Sequence, residues 1–108
     1  MKSFEVTTTT DNGVARVVVD GELDIATASV LDARLADIER SMSETVELDL
    51  GKVAFMDSTG LRALLKARRR AETAGHRLRL LNLQPEVERV FDVTGVRKIF
   101  EIGTPPGA

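Results

Sequence analysis

The sequence predicts an α/β domain built on a small mixed β-sheet, and three observations carry that reading. Asn12-Gly13 sits between two apolar, strand-like runs and predicts an opening antiparallel hairpin, because Asn-Gly supplies the positive φ angles a tight turn needs. After the hairpin, alternating runs and helical stripes take turns along the chain, the pattern of parallel strands joined by crossover helices. The chain has 108 residues, 43% of them hydrophobic, which is enough for one core and one domain. That domain is expected over residues 1–103, with 104–108 (Thr-Pro-Pro-Gly-Ala) as an irregular tail.

Each element has its own signal. Phe4, Val6, Thr8 and Thr10 alternate with solvent-tolerant residues, which predicts a half-buried first strand. Val14 to Asp20 contains Val17, Val18 and Val19 in a row, and this β-branched run predicts a second strand covered on both faces. From about Thr27 the period changes. Leu31, Leu35, Ile38 and Met42 fall at steps of four, three and four, the stripe of an amphipathic helix. Val46, Leu48 and Leu50 alternate with Glu47 and Asp49 as a short third strand, followed by a short turn. A second helix starts near Ser58, turns Leu61, Leu64, Leu65 and Ala71 inward, and stops at Gly75. Leu78, Leu80 and Leu81 form a fourth strand. Pro85 suits the first turn of a third helix, with Val87, Val90 and Phe91 inside and Gly95 at its end. Ile99, Phe100 and Ile102 offer a short edge strand. Right-handed crossovers make the strands after the hairpin parallel. The loop around Asp24 and the start of the second helix at Ser58 then share the carboxyl edge of the sheet, where sites form in open α/β sheets.

Composition excludes several functions. A net charge of -2 gives no reason to expect nucleic acid or an anionic membrane as partner. With no Cys, disulfides and thiolate metal sites are ruled out. No apolar run approaches the roughly 20 residues of a membrane span, and Met1-Lys2-Ser3-Phe4 lacks the apolar region of a signal peptide, so a soluble cytoplasmic domain is expected. Neither a Gly-x-x-x-x-Gly-Lys-Ser/Thr loop, nor Gly-x-Gly-x-x-Gly, nor His-Glu-x-x-His occurs. The single histidine, His76, lies at the far end of the helix that Ser58 begins, roughly 25 Å away at about 1.5 Å per residue, beyond the reach of a general base. It reads as a solvated turn residue. The run Lys66-Ala67-Arg68-Arg69-Arg70 reads as a solvated helix face, with Arg68 placed to pair with Glu72, although this face also suits an acidic partner.

The most informative stretch is Leu50 to Leu61, where Asp57, Ser58, Thr59 and Gly60 meet at a strand-to-helix junction. A hydroxyl at a helix N-terminus is well placed to carry a phosphate and, without a base, poorly placed to act as a nucleophile. On spacing alone, helix capping by Asp57 or Ser58 is the commoner reason for such residues. Asp24 is balanced between function and capping of the first helix. Glu22 reads as surface charge, since a pair of carboxylates makes a dedicated Mg²⁺ site only with further oxygen ligands. The absent side chain of Gly60 leaves room for a partner's backbone to approach.

Phe55-Met56-Asp57-Ser58-Thr59-Gly60-Leu61 resembles the signature of anti-sigma factor antagonists of the STAS domain class. Gly21-Glu22-Leu23-Asp24 with Thr27 and Ala28 is similar to the family's loop before its first helix, and Asn82 to Ile102 is similar to its C-terminal third. Arg62 departs from the pattern, because many members have a small residue after the Gly-Leu pair. It puts a long cation beside the site and bears on partner choice. The resemblance implies a single STAS domain that is a ligand and substrate rather than an enzyme and needs no cofactor of its own. The unmodified form would bind an anti-sigma factor that is also an ATP-dependent serine kinase, releasing a sigma factor. Phosphorylation at Ser58 would break the complex, and a metal-dependent serine phosphatase would restore it. Partner contacts are expected from Asp24, Asp57, Ser58, Thr59, Gly60 and Arg62, and the free domain is expected to be a monomer. Two other roles stay open: an accessory subunit of a lipid-transporting ABC system, which would co-purify with an ATPase subunit, and a subunit of a stress-sensing assembly, which usually carries an extra N-terminal sensory domain and would run large on a sizing column.

Overall fold

Two residues with positive φ reverse the chain near its start, Asn12 at 51° and Gly13 at 78°, as the Asn-Gly pair predicts. They join β1 (Glu5–Asp11) to β2 (Val14–Leu23) as an antiparallel hairpin. The chain continues through α1 (Ala28–Glu39), β3 (Thr45–Met56), α2 (Ser58–Ala74), β4 (Arg77–Leu81) and α3 (Pro85–Thr94) to β5 (Glu101–Gly103), with a 3₁₀ turn at Arg97–Ile99. The computed structural model describes residues 3–41 and 43–103. Met42, the fourth residue of the expected first-helix stripe, and the 104–108 tail lie outside the described residues.

The sheet order is β1-β2-β3-β4-β5, with β2 through β5 parallel. Each parallel strand is laid down next to the one before it. Right-handed crossovers that always step in the same direction place every helix on the same face. Side chains of that face form the core: Val17, Val19, Leu48 and Leu80 pack with Leu31 and Leu35 of α1, Leu64 and Ala67 of α2, and Val87 and Phe91 of α3. Phe100 closes the end of the core, its ring centroid 5.3 Å from that of Phe91.

The helix-free face corrects the reading of the second strand. Val17 and Val19 are fully buried, but Val18 is half-buried, in register with Thr7 and Asp49 on the open side. One face only is covered, and the valine run hid the alternation. The open face is held by charge instead. Arg16, Glu47, Arg79 and Glu101 lie in register on adjacent strands. Arg79 donates to Glu47 at 2.7 Å and pairs with Glu101 at 3.0 Å, and Arg77 grips Glu101 from its own side. The hydrogen bond from Arg77 outweighs partial burial and holds the Glu101 carboxyl below the usual range.

The third strand is also longer than expected. It does not turn away after Leu50 but runs to Met56. Two bulges explain this. Val18 pairs with Asp49 but Asp20 with Lys52, and Gly21 pairs with Val53 but Glu22 with Phe55, so β3 twice carries one extra residue. Its core positions therefore step from Leu48 and Leu50 to Val53 and Met56, which breaks the two-residue period. Gln84, at the start of α3, donates to the Gly51 carbonyl at 2.7 Å and fastens that helix to the first bulge.

Candidate functional site

The bulged extension of β3 sets where the site lies. β2 and β3 end together, Leu23 opposite Met56, and the Asp57 amide donates to the Leu23 carbonyl at 3.2 Å. The loop around Asp24 and the start of α2 are thus brought to one edge of the sheet, as expected.

Asp57 is the N-cap of α2. Its backbone is extended, and its Oδ1 accepts from the Gly60 amide at 3.0 Å. Ser58 is the first helical residue and is exposed. Among the described residues its hydroxyl has no hydrogen-bond partner, and neither do the Ser58 and Thr59 amides. Capping therefore belongs to Asp57, and the Ser58 hydroxyl is free. At the other end, Gly75 closes the helix in the left-handed conformation, φ 81°. His76 follows it, half-buried, with 17 residues of helix between it and the Asp57 cap.

Asp24 works locally. Its Oδ1 accepts from the amides of Ala26 at 2.9 Å and Thr27 at 3.2 Å, while the Thr27 hydroxyl donates to the Glu22 carbonyl at 2.7 Å. The N-cap position of α1 belongs to Thr27, without a side-chain cap bond. Asp24 thus shapes the turn that leads into α1 and does not itself cap the helix. That turn holds Ile25 out, 79% exposed. Among the described residues, Glu22 and Asp24 join no cluster of three potential metal-ligating side chains.

Gly60 corrects the sequence reading. It is buried, and a Cβ placed on it would lie 2.5 Å from the Leu23 carbonyl oxygen and 2.9 Å from Leu23 Cγ. The space left by its missing side chain is filled by the domain's own β2. No partner backbone can enter there. Arg62 is exposed, one turn beyond Ser58.

Two grooves flank the start of α2. Toward α3, Met56, Leu61, Val90 and Val93 line one of ≈ 310 Å³, with Ser58 and Arg89 at its sides. Toward α1, Ile25, Ala28, Thr59 and Arg62 line part of another of ≈ 220 Å³. Val93 is 79% exposed and shares a groove with Ser58, while Ile25 shares the neighbouring groove with Thr59, so each groove at the start of α2 carries one projecting apolar residue. The sequence reading missed both. Val93 stands off the Val87–Val90–Phe91 stripe, and an apolar residue out of phase was the available signal. The basic run of α2 is only partly a solvated face. Arg68 pairs with Glu72 at 3.0 Å as expected, but Arg70 reaches back to Asp32 at 2.8 Å and Glu39 at 3.0 Å and ties α2 to α1. No helix among the described residues is long and apolar enough to cross a membrane.

Comparison with known proteins agrees with this geometry. A family model described as the STAS domain matches residues 5–105. An anti-sigma-B factor antagonist of Staphylococcus epidermidis is 27% identical over 100 residues, 93% of each chain. The crystal structure of an anti-sigma factor antagonist from Mycobacterium paratuberculosis matches with a TM-score of 0.83 at 25% identity, covering 93% of this chain and 85% of that one. SpoIIAA of Bacillus shares the fold at 23% identity in both its forms. The unphosphorylated form gives a TM-score of 0.78 with 97% and 90% of the chains covered, and the phosphorylated form 0.72 with 97% and 93%.

Proposed function

Since the chain belongs to the STAS domain family, we propose that it is an anti-sigma factor antagonist switched off by phosphorylation of Ser58. The observation that carries the reading is the free, exposed Ser58 hydroxyl at the first position of α2, beside a groove lined by Val93 and next to a second groove lined by Ile25. An exposed hydroxyl with no general base in reach is poorly placed to act as a catalyst, and its exposure leaves it accessible to a kinase. The projecting apolar residues give a protein partner something to bury. The relatives' names point the same way.

In this reading the unmodified edge binds an anti-sigma factor that is itself a serine kinase. Asp24, Asp57, Ser58, Thr59 and Arg62 lie in or around the contact, with Ile25 and Val93 as its apolar anchors. Phosphate adds roughly -1.5 to -2 charge at its centre. A metal-dependent serine phosphatase removes it in the cytoplasm. The chain is a ligand and a substrate, not an enzyme.

The test is incubation with the anti-sigma factor kinase and ATP, followed by peptide mapping. Phosphate on Ser58, lost in Ser58→Ala, is the expected result. Modification mainly at Thr59 would refute it. Ile25→Asp and Val93→Asp should each weaken the complex by tenfold or more with unchanged circular dichroism, about 1.4 kcal/mol apiece. Normal binding by both would move the interface elsewhere.

A further inference from the structure

We propose that Arg62 is the intramolecular counter-ion of phosphorylated Ser58, folding the phosphate back along α2. The inference rests on the reading that Ser58 is modified, and it assigns what this chain's own residues then do with the phosphate.

Ser58 and Arg62 are the first and fifth residues of α2. Side chains four apart on a helix are neighbours, their Cβ atoms about 5–6 Å apart, and an anion N-terminal to the cation is the favourable order. The guanidinium fork matches phosphate oxygens in pairs. Arg62 is also unclaimed. Arg68, Arg70, Arg77, Arg79 and Arg97 each hold a carboxylate. Among the described residues Arg62 has no ion pair and no side-chain hydrogen bond. The carboxylate sharing its groove, Asp32, is already held by Arg70, and Asp57 is turned to the Gly60 amide.

The competing cations are less well placed. Arg89 lies across the α3-side groove from Ser58, but its Nη2 is held by both carboxylate oxygens of Glu86, at 2.8 and 2.7 Å. Lys66 is eight residues from Ser58, about 12 Å along the helix axis. The clamp gives one modification two effects at the same end of α2, across the ridge between the two grooves. An anion appears at Ser58, and the free cation at Arg62 is withdrawn from any partner that had used it.

Phosphoserine installed at position 58 by chemical ligation tests this without a kinase. The probe is the phosphorus resonance, titrated with pH in the parent, Arg62→Gln, Arg62→Lys and Arg89→Gln. A cation at the phosphate favours the dianion, so Arg62→Gln should raise the titration midpoint by about 0.3 pH units, the size of a helical ion pair. Arg62→Lys should fall between, and Arg89→Gln should match the parent. The difference should shrink at about 1 M salt. An unchanged midpoint in Arg62→Gln, or a shift carried by Arg89→Gln instead, overturns the assignment. Arg62 is exposed, so its replacement leaves the core untouched. Failure of a kinase to modify Ser58 would refute the proposed function while leaving the clamp measurable, and the reverse result would refute the clamp alone.

Discussion

Gly60→Ala separates a structural role from a binding role at the heart of the signature. At an open position inside a helix, replacing Gly by Ala stabilises by roughly 0.5–1 kcal/mol. Gly60 has ordinary helical φ, so no backbone strain opposes the change. Its surroundings do. The new methyl would lie 2.5 Å from the Leu23 carbonyl oxygen and 3.1 Å from its carbon, atoms of the backbone that no rotamer change can move. The start of α2 must back away from β2. Such overpacking costs about 1–3 kcal/mol. Backing away also stretches the bond from the Asp57 amide to that same oxygen, about 1 kcal/mol more. Less the helical gain, the net loss is about 1–3 kcal/mol. At about 4–8 °C per kcal/mol for a domain near this size, Tm should fall by about 5–20 °C. Thermal melts by circular dichroism measure it. An unchanged or higher Tm would refute the packing argument. Gly60→Arg, in consequence, is no test of the interface, because any loss of binding would follow from damage to the junction.

Other substitutions probe the remaining supports. Asp57→Ala removes the α2 cap and should cost about 1 kcal/mol, with Asp57→Asn recovering most of the lost Tm. Ser58→Asp puts an anion at a helix N-terminus, so its melt should coincide with the parent's or lie slightly above it; a fall of more than about 5 °C, roughly 1 kcal/mol, would show that charge at this position disturbs the fold. The carboxyl of Glu101 is held below its usual range by the Arg77 hydrogen bond, so its contribution is present above the unfolded value, about 4.3, and lost as pH falls through the lower folded value. The Tm difference between parent and Glu101→Gln should therefore be full at neutral pH and close as the solution is acidified below pH 4. A difference that persists at pH 2.5 would assign the effect to packing rather than to the charge.

What the sequence disclosed and what it concealed divide by range. The hairpin, α2 and α3 were legible because their signals are local: Asn12-Gly13 at the turn, Asp57 and Gly75 at the ends of one helix, Pro85 and Gly95 at the ends of another. Alternation beyond Leu50 was not legible, because the bulges in β3 change the spacing of inward residues from two to three. The inward turn of Gly60 depends on Leu23, 37 positions away in the chain, and no periodicity reports such a contact. Arg70 looked like part of a basic face because its carboxylates are on another helix. Ser58 was found from its neighbours, but its hydroxyl could be called free only once Asp57 was seen to do the capping.

On the proposed reading, that division of labour between adjacent residues would let a modification act at this junction without refolding it. Asp57 takes the Gly60 amide, and the Ser58 and Thr59 amides at the tip of α2 have no acceptor among the described residues. A phosphate on Ser58 meets those donors and the positive end of the helix, worth about 0.3–1 kcal/mol at an exposed position. Repulsion from the Asp57 carboxylate opposes it, at about 1 kcal/mol per unit of phosphate charge at 4 Å in water, and the proposed Arg62 counter-ion offsets part of that. These opposing contributions are each within about 2 kcal/mol, and on the inner side Gly60 and Leu61 are packed under Leu23 and the core. The balance changes when a partner covers the edge. Water that screened the phosphate would be expelled, and like charges juxtaposed at an interface cost several kcal/mol. The same group, nearly neutral to folding, would then be worth a hundredfold or more in affinity, at about 1.4 kcal/mol per tenfold. On the proposed reading, exposure of Ser58 in the free domain and its burial in the complex would convert a small local charge into a switch.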